Sequence, residues 1–484
     1  MSQDSAVSAI PAGKPELRII RAPELGNSSF LVADPAAGEA VVIDPFRDIE
    51  RYLVAAEELG VKIGRALDTH LHNDFVSGCR ELAAETGAAI EPLADGSRVA
   101  VGRYTLSPLR TPGHTPTHLS YLLSEGGDPR AGNAEHEQEG GRPPSDKGAR
   151  PLALFSGGAL MVGSMARTDL FGPHLATHLA IEAFRTLRVR LRDLPNDVAV
   201  YPTHGGGSFC GSGVSTEAET TMGRERAENP FLTTDELMPF LARALHQARY
   251  PDYYRQMADI NTAGLPLLGR TLPALRRLKP FQVETLARER GAAIVDIRPA
   301  REYDRGHIPG SFNVGLEGPF SAWVGWVIER SRPLVLSGGE HAQQATALRQ
   351  LLRIGYDQVA GGLEGGVEAW QEAGLPVSSF EIAEVEDLAS WILSGDPMTV
   401  VDVRAEDEWH HGHAPGAIHL YVPDVAHHAG EIPREAPVAV HCRSGYRAGI
   451  AASILEQAGF TRIIHVAGPW SDWDRLHLAT TTPG

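Results

Sequence analysis

Short apolar runs alternate with helical stretches throughout the C-terminal half, and the pattern occurs twice. Residues 295–314 (VDIRPAREYDRGHIPGSFNV) and 401–420 (VDVRAEDEWHHGHAPGAIHL) are identical at eight of twenty positions, at an offset of 106. Each copy continues with a second apolar run, a helical stretch and a glycine–aromatic turn. Strands that alternate with helices favour a parallel sheet covered on both faces. The pattern therefore predicts two α/β domains with parallel central sheets, over 279–378 and 380–484.

The N-terminal region, predicted as one domain over 15–255, has a different pattern. Its apolar runs end in polar clusters, as in AVVIDP (40–45), ALDTH (66–70), YTLSPLRTPGHT (104–115), LALFSGGAL (152–160) and VAVYPTHG (198–205). Active sites in α/β sheets tend to lie at such strand ends. Residues 124–150, rich in Gly, Pro and charge, are predicted to form a mobile surface insertion. Residues 256–278 are predicted to be the linker to the repeats.

Charge and cysteine content narrow the class of protein. The chain of 484 residues has 44 Lys and Arg against 61 Asp and Glu, a formal net charge of −17. Phosphate contacts need a basic face, so this balance argues against a nucleic-acid partner. Three cysteines cannot form a disulfide framework, which indicates a reducing compartment and leaves room for one working thiol. No run approaches the roughly 18 apolar residues that span a bilayer, so we expect a cytoplasmic protein without a membrane partner.

Histidine and carboxylate side chains recur at the predicted strand ends of the N-terminal domain. His70, His72 and Asp74 share one tight loop, and His114 and His204 follow later strands. Two imidazoles on one loop can converge on a cation, and histidine with carboxylate suits Zn or non-haem Fe. Any one of these histidines alone fits a buried structural residue equally well. Together, the five residues predict a metal site.

These motifs resemble the metallo-β-lactamase fold family, in particular its persulfide dioxygenase and glyoxalase II branch. The likeness is carried by residues 69–74 (THLHND), 111–115 (TPGHT) and 167–169 (RTD). The resemblance implies an αββα sandwich for the N-terminal domain. It also implies one Fe(II) or Zn ion in that domain, and a substrate contact for Arg167.

Two positions depart from the family pattern. Phe75 stands where the family has a histidine, which removes a ligand of the second metal in two-metal members. Gly158 stands where the family has an aspartate. In persulfide dioxygenases that aspartate binds iron with the first and the lone histidine, here His70 and His114, and a neighbouring histidine or carboxylate of the first loop could replace it. The resemblance leaves two alternatives, a variant mononuclear site or a scaffold without metal chemistry.

Cys442 lies in a loop, HCRSGYRA (441–448), that follows an apolar strand and leads into a helix. In such a loop the backbone N–H groups and the helix N-terminus stabilise a thiolate, and arginines attract an anionic sulfur substrate. Cys79 and Cys210 lack this setting and are interpreted as packing residues. The residues expected to surround the anion are Arg443, Ser444, Gly445, Tyr446 and Arg447.

This loop, together with residues 402–404 (DVR) and 412–416 (GHAPG), resembles the rhodanese family. The resemblance implies that Cys442 accepts a sulfane sulfur as a persulfide and passes it to a thiol. Phosphatases of the same fold have a longer Cys-x5-Arg loop, whereas the spacing here is Cys-x4-Arg. In the first repeat Gly338 replaces the thiol and Gln343 the arginine, so that domain is predicted to have a structural role.

The sequence as a whole favours an enzyme of sulfane-sulfur metabolism, in which a rhodanese-type sulfurtransferase is fused to a persulfide dioxygenase-like domain. The expected partners are a sulfur donor, thiosulfate or glutathione persulfide, and a thiol acceptor. We also expect a homo-oligomer. Two alternatives stay open: a metal-dependent thioester hydrolase of the glyoxalase II type, and a non-catalytic protein that binds or senses sulfur.

Overall fold

The structure, a computed structural model, describes residues 5–7, 15–94, 97–126, 149–211, 215–476 and 478–482. The chain divides into two compact units. Unit 1 comprises Met1–Pro273 with Leu352–Gly355, and unit 2 comprises Ala274–Leu351 with Tyr356–Gly484. Most of the insertion predicted over 124–150 lies outside the described residues. Within the described ranges, no helix has both the length and the apolar character needed to cross a membrane.

Unit 1 contains two β-sheets and seven labelled helices among its described residues. The strands are β1 (Ser5–Val7), β2 (Glu16–Ala22), β3 (Asn27–Asp34), β4 (Glu39–Ile43), β5 (Lys62–Leu67), β6 (Val99–Val101), β7 (Tyr104–Arg110), β8 (Leu119–Glu125), β9 (Arg150–Gly157), β10 (Ala199–Pro202) and β11 (Thr220–Thr221). The helices are α1 (Glu50–Leu59), α2 (Cys79–Thr86), α3 (Pro173–Arg185), α4 (Met222–Glu228), α5 (Pro230–Thr233), α6 (Leu237–Leu245) and α7 (Tyr254–Ala263). The sheet orders are β1-β2-β3-β4-β5 and β11-β10-β9-β8-β7-β6.

The two sheets pack face to face because their strands alternate between two apolar cores. On β8, Tyr121 and Leu123 face the core between the sheets, where Phe30 of the first sheet also lies. Leu122, between them, faces the opposite side and joins the core that includes Ala183 of α3. Successive side chains of a strand point to opposite faces, so one strand supplies both layers. Helices therefore cover the outer faces, and the predicted αββα sandwich is confirmed.

Unit 2 contains two five-stranded sheets in which every described pairing is parallel. Its strands are β12 (Arg277–Leu278), β13 (Ala293–Asp296), β14 (Phe312–Asn313), β15 (Leu334–Ser337), β16 (Val359–Leu363), β17 (Glu381–Ala383), β18 (Thr399–Asp402), β19 (Ile418–His419), β20 (Val438–His441) and β21 (Ile463–Val466). Its helices are α8 (Pro280–Arg290), α9 (Ala300–Arg305), α10 (Phe320–Val327), α11 (His341–Arg353), α12 (Gly366–Glu372), α13 (Val385–Ser394), α14 (Glu406–His410), α15 (Val425–His428), α16 (Tyr446–Gln457) and α17 (Ser471–Arg475).

The repeat seen in the sequence is a repeat of topology. The sheet orders are β12-β16-β15-β13-β14 and β17-β21-β20-β18-β19, so each strand of the second sheet corresponds to the strand five positions earlier. The central strands β13, β15, β20 and β21 are buried along their whole length, as expected for parallel sheets covered on both faces. The prediction of two α/β domains with parallel sheets is confirmed.

The segment predicted as a linker, 256–278, has contacts with the first histidine loop. Asn261 of α7 donates hydrogen bonds to the carbonyl oxygens of His72 (2.8 Å) and Phe75 (2.9 Å). The Tyr253 hydroxyl, directly before α7, donates to the Asp74 carbonyl at 2.9 Å. Residues up to Pro273 belong to unit 1. Much of this segment therefore supports the loop at the centre of unit 1, while the domain limits themselves stay predictions.

A buried ion-pair cluster stabilises unit 1. Arg353, the last residue of α11, lies 2.6 Å and 2.9 Å from the carboxylate oxygens of Asp48 and 2.6 Å from Glu24. All three side chains are buried. Burial alone would lower the pKa of the Arg353 guanidinium, but the two carboxylates raise it above its usual value. Arg353 is therefore a permanent cation between two buried anions.

We expect Arg353→Ala to lower the free energy of unfolding of unit 1 by about 3–5 kcal/mol, because it removes the cation between two buried carboxylates. Urea denaturation measures the change. The control is Arg270→Ala, which breaks an exposed ion pair with Glu57 and should cost at most about 1 kcal/mol. Equal effects of the two substitutions would contradict the expectation.

Candidate metal centre and candidate sulfur-transfer loop

Four buried histidine rings meet at the strand ends of unit 1. His70 and His72 follow β5, His114 follows β7, and His204 follows β10. The centroid of the His70 ring lies 4.3 Å from that of His72, 4.8 Å from that of His114 and 5.2 Å from that of His204. One ring nitrogen of His70, His114 and His204 lies within 4.8 Å of one nitrogen of each of the other two. The structure thus brings together histidines that are up to 134 positions apart in the sequence.

The hydrogen bonds of the rings show which nitrogens face inward. His114 Nδ1 lies 2.7 Å from the Arg167 carbonyl oxygen, which only accepts, so Nδ1 donates and Nε2 carries the lone pair. The Thr69 hydroxyl donates to Asp44 and therefore accepts from His70 Nδ1 at 2.8 Å, which leaves the lone pair on His70 Nε2. Burial and the neighbouring histidines lower the pKa of His70 well below its usual value, and burial lowers that of His114 to about 3. Both rings are neutral at pH 7 and can act as metal ligands.

His204 completes a set of three imidazoles. Its Nδ1 lies 3.1 Å from Asn27 Oδ1 and 3.2 Å from Asp74 Oδ2, which both accept, so Nδ1 donates and Nε2 is the nitrogen that faces His70. His204 Nε2 lies 3.2 Å from His70 Nε2. Two nitrogen ligands at about 2.0 Å from a tetrahedral ion are about 3.3 Å apart, so the pair has the spacing of two metal ligands. His114 Nε2 is buried without a hydrogen-bond partner among the described residues. The donor set therefore fits a divalent cation such as Zn²⁺ or Fe²⁺.

His72 and Asp74 have different surroundings. His72 Nε2 lies 3.1 Å from Asp44 Oδ1, and the ring stacks on Phe75 at 4.1 Å. Burial alone would lower the pKa of His72, but the carboxylates of Asp44 and Asp68 raise it to about 10. Its Nδ1 and one oxygen of Asp74 are buried without a partner in the described part of the chain. In the metal-free protein His72 is a cation, and it would have to release a proton before it could act as a ligand.

Asp44 connects the histidine loops. It accepts hydrogen bonds from the Thr69 backbone N–H (2.6 Å), the Thr69 hydroxyl (2.9 Å), His72 and the Thr203 hydroxyl. Burial alone would raise the pKa of Asp44, but His72 and these donors hold it below its usual value. Among the described residues other than glycine, Asp44 is the one with positive φ, at 53°. A single carboxylate thus fixes the residue before His70 and the residue before His204.

The position of Gly158 has no room for a side chain. A Cβ atom there would lie 2.7 Å from His114 Cδ2 and 2.8 Å from Ala166 Cβ. The Gly158 N–H donates instead to His118 Nε2 at 3.0 Å, and the His118 ring stacks on His70 at 4.9 Å. Burial lowers the pKa of His118 well below its usual value, so this ring is a neutral acceptor. His118 thus holds the backbone at Gly158.

Arg167 contributes to the site through its backbone carbonyl and its buried side chain. Its guanidinium is buried, lies 2.6 Å and 2.7 Å from the Asp169 carboxylate oxygens, and donates to the Phe209 carbonyl at 3.2 Å. Its own carbonyl accepts from His114. These contacts orient His114. The predicted substrate contact of Arg167 stays a prediction.

In unit 2, Cys442 lies between β20 and α16. The thiol is buried, and the Ala448 N–H in the first turn of α16 donates to Cys442 Sγ at 3.4 Å. Gly445 has a φ of 87°, and a Cβ there would lie 2.7 Å from the Ala467 carbonyl oxygen, so the loop needs glycine. By contrast, burial raises the pKa of the Cys79 and Cys210 thiols well above their usual value. The N-terminus of α16 is thus directed at the Cys442 thiol.

The two arginines of the loop differ. Arg447 lies 2.6 Å and 2.9 Å from the two carboxylate oxygens of Glu408, which together with Cys442 raises its pKa, whereas burial alone would lower it. Arg443 is exposed, as is Ser444, and the Arg443 carbonyl accepts from the Trp470 N–H at 2.8 Å. The cationic pocket predicted from the sequence therefore consists of one exposed arginine and one that is already paired.

In the first repeat, the side chains of Asp296 and Arg298 occupy the space next to the corresponding loop. A Cβ at Gly338 would lie 2.5 Å from Asp296 Oδ1 and 2.6 Å from Arg298 Cγ. Arg298 and Asp296 are bound to each other at 2.7 Å, as Arg404 and Asp402 are at 2.6 Å in the second repeat. The aspartate–arginine pair is thus common to both domains, whereas a thiol would not fit in the first.

Two residues of these sites are not among those predicted from the sequence. His118 lies directly before β8, whereas the candidate ligands predicted from the sequence follow the ends of strands. Glu408 was marked by the repeat, because it matches Glu302 at the offset of 106. Its role needed the fold, which brings α14 next to the loop of Cys442.

The comparisons with known proteins agree with both halves of this description. Residues 281–373 and 384–476 each match the family profile described as "Rhodanese-like domain". The C-terminal half contains two rhodanese-like domains. The second of them holds the loop with Cys442, and the first holds the corresponding loop at Gly338.

The N-terminal region matches other proteins. The persulfide dioxygenase ETHE1 of Homo sapiens is 28% identical over 218 residues, which is 42% of this chain and 71% of the relative. A hydroxyacylglutathione hydrolase of Rhodospirillum rubrum is 36% identical over 113 residues, 20% of this chain and 44% of the relative. A metallo-beta-lactamase structure from Staphylococcus aureus subsp. aureus COL has 26% identity and a TM-score of 0.62, and covers 72% of this chain and 99% of its own. The N-terminal region has the metallo-β-lactamase fold, and the similarities as a whole support a role in sulfur metabolism.

The ion pair of Asp44 with His72 leads to a pH-dependent prediction. Because the pKa of His72 is raised, the ion pair contributes its full stabilisation below about pH 6.5. This contribution is lost as the pH rises to about 10. Asp44, with a lowered pKa, stays ionised over this whole range. We therefore expect the difference in thermal unfolding midpoint between metal-free wild type and Asp44→Asn to shrink as the pH rises from about 6.5 to about 10.

The control is Asp34→Asn, which removes a carboxylate paired with Arg103. That pair contains no group that titrates in this range, so its effect should be the same at both pH values. A pH-independent difference for Asp44→Asn would contradict the prediction.

Proposed function

We propose that this protein is a rhodanese-type sulfurtransferase of sulfane-sulfur metabolism, with Cys442 as the sulfur carrier. The observation that carries the proposal is the N–H of Ala448, directed at Cys442 Sγ from the N-terminus of α16 at 3.4 Å. A helix N-terminus stabilises a thiolate, which is the nucleophilic form of cysteine. Arg443, exposed beside the thiol, supplies positive charge for an anionic sulfur donor.

The proposed reaction has two displacements at sulfur. With thiosulfate as donor, the Cys442 thiolate attacks the outer sulfur, the S–S bond of thiosulfate breaks, and sulfite leaves with the electron pair. The product is a persulfide on Cys442 with one negative charge. A thiol acceptor, or cyanide in the assay, then attacks the outer sulfur and releases the Cys442 thiolate. Glutathione persulfide is the alternative donor.

Arg447 acts in this proposal through its partner Glu408. A bidentate carboxylate orients the guanidinium and keeps it beside the loop. The pair also lowers the net charge at the loop, so that Arg443 is left as the main attraction for a dianion. Ser444, Gly445 and Tyr446 form the rest of the loop around the sulfur.

As a second function we propose that unit 1 binds one divalent metal ion through His70, His114 and His204. The Nε2 atoms of these rings support this proposal, because those of His70 and His204 lie 3.2 Å apart and that of His114 is buried without a hydrogen-bond partner among the described residues. With Fe(II), the ion would supply the oxygen chemistry that the persulfide dioxygenase relative carries in its name. The chain's own residues would hold the ion, and Arg167 and Asn27 would orient two of the three rings.

Two alternatives have weaker support. A two-metal thioester hydrolase would need ligands at positions 75 and 158, where Phe75 stacks on His72 and Gly158 has no room for a side chain. A sulfur-binding or sensing protein would form the persulfide on Cys442 without turnover. The proposed homo-oligomer and cytoplasmic location are not needed for either function.

We expect Cys442→Ala to abolish the formation of thiocyanate from thiosulfate and cyanide, because the nucleophile is lost. The assay is spectrophotometric, and mass spectrometry of the wild type after thiosulfate alone should show 32 Da added to Cys442 (about one sulfur atom). The matched control is Cys79→Ala, a buried cysteine in unit 1. Activity that survives in Cys442→Ala would reject the proposal, and a stable persulfide without turnover would favour the sensing alternative.

We expect one equivalent of Fe(II) or Zn(II) per chain, and a loss of affinity of at least about a hundredfold in His204→Ala, because one of three ligands is removed. Metal titration by calorimetry and elemental analysis measures both quantities. The control is His174→Ala, an exposed histidine on α3. Unchanged affinity in His204→Ala would contradict the three-histidine site. Oxygen uptake with glutathione persulfide by the iron-loaded protein then tests the oxidation.

A further inference from the structure

The rhodanese-like domain that lacks a cysteine reaches the Cys442 loop of the other domain in two ways, once directly through Gly315 and once from Asp304 through His465 of the other domain. The His465 ring of β21 donates through Nε2 to the Gly445 carbonyl at 2.9 Å, and its Nδ1 lies 2.6 Å from Asp304 Oδ2 in α9 of the first domain. The Tyr446 hydroxyl donates to the Gly315 carbonyl, also in the first domain, at 2.9 Å. Gly445 and Tyr446 directly precede Arg447 in the loop.

The Asp304–His465 pair is entirely buried. Asp304 has no exposed surface and His465 is 1% exposed. The Gly445 carbonyl can only accept, so Nε2 carries a proton, and Nδ1 and Asp304 share another. A short hydrogen bond between a carboxylate and an imidazole is charge-assisted and directional. The pair therefore holds the ring of His465, and through it the Gly445 carbonyl, in one orientation.

The orientation of the Gly445 carbonyl affects the position of the Cys442 thiol, because both belong to one tight loop. Gly445 has a φ of 87°, and the peptide that follows leads into the first turn of α16. The Ala448 N–H reaches Cys442 Sγ at 3.4 Å, so a small rotation of the loop would lose the contact. Burying an ion pair costs more than packing apolar side chains of similar volume, so the pair is better explained by specificity of position than by stability.

We propose that Asp304 and His465 are positioning residues for Cys442, and that the first domain, through Asp304 and Gly315, sets the direction of the thiol. The inference rests on the proposed sulfur transfer. It gives the cysteine-free domain a role in catalysis by the other domain, although it contributes no group that touches the sulfur.

The test is steady-state thiocyanate formation by the full chain with Asp304 substituted. Asp304→Ala should lower kcat by roughly ten- to hundredfold, because misplacement of a reacting group by about 1 Å has effects of this size. KM for thiosulfate should stay within about twofold, since the exposed Arg443 is unchanged. Asp304→Asn, which keeps a hydrogen-bonding group of the same shape, should restore part of kcat.

The control is Glu456→Gln, at the far end of α16. Glu456 lies 3.3 Å from His307 Nε2 and accepts from the Gly310 N–H at 2.8 Å, so it also joins the two domains but away from the loop. Its substitution should leave kcat and KM unchanged. If Glu456→Gln lowers kcat as much as Asp304→Ala, or if Asp304→Ala raises KM without lowering kcat, the contact is merely structural and the inference is wrong.

A second readout does not depend on sulfur transfer. The rate of iodoacetamide alkylation of Cys442, followed by mass spectrometry of the tryptic peptide 435–443, should fall at least about threefold in Asp304→Asn at one fixed pH. An unchanged rate would overturn the inference, even if Asp304→Ala fails to fold. If the wild type transfers no sulfur but the alkylation rate falls, the proposed function fails while the positioning role stands.

Discussion

The candidate metal centre depends on one buried carboxylate, that of Asp44. Its oxygens bind the loop of His70 through Thr69, the ring of His72, and the end of β10 through Thr203. These groups follow two separate strands, β5 and β10, and Asp44 itself follows a third, β4, so no local element could align them. The positive φ of Asp44 is the local cost of directing the side chain across the sheet, and the surrounding hydrogen bonds offset it. The arrangement of the His70, His72 and His204 rings follows from this one attachment, whereas the Arg167 carbonyl holds His114.

Much of the architecture could be predicted from the sequence because it is encoded in periodic patterns. The offset of 106 between the repeats predicted two sister sheets, and polar residues after apolar runs predicted where the chemistry lies. The partners of each ring could not be predicted, because they depend on tertiary contacts. His204 was recognised as a candidate ligand, but its spacing from His70 required the packing of β10 beside β9. Glu408 shows the same limit, since its partner Arg447 lies 39 positions away.

Comparison of the two rhodanese-like domains distinguishes the contacts that maintain the fold from the loop in which we propose that the chemistry takes place. Both keep the aspartate–arginine pair, and in both the arginine also donates to the carbonyl of a later glycine, Gly306 or Gly412. The aspartate–arginine pair is therefore present whether or not the loop after the central strand contains a cysteine. In the first domain Asp296 and Arg298 leave no space for a side chain at Gly338, whereas the second domain has Cys442 in the corresponding loop. The domain without a cysteine nevertheless contacts its sister, through Asp304 and Gly315.

The close packing at Gly158 bears on how the N-terminal site could change. A single substitution that introduces aspartate there would place its Cβ within 2.8 Å of both His114 and Ala166. To admit that atom, the His114 ring and the segment of Ala166 would have to move. A side chain at position 158 is therefore compatible with this packing only if residues 114 and 166 change or move together with it. Gly158 thus occupies a coupled position, whose replacement cannot be considered apart from its neighbours.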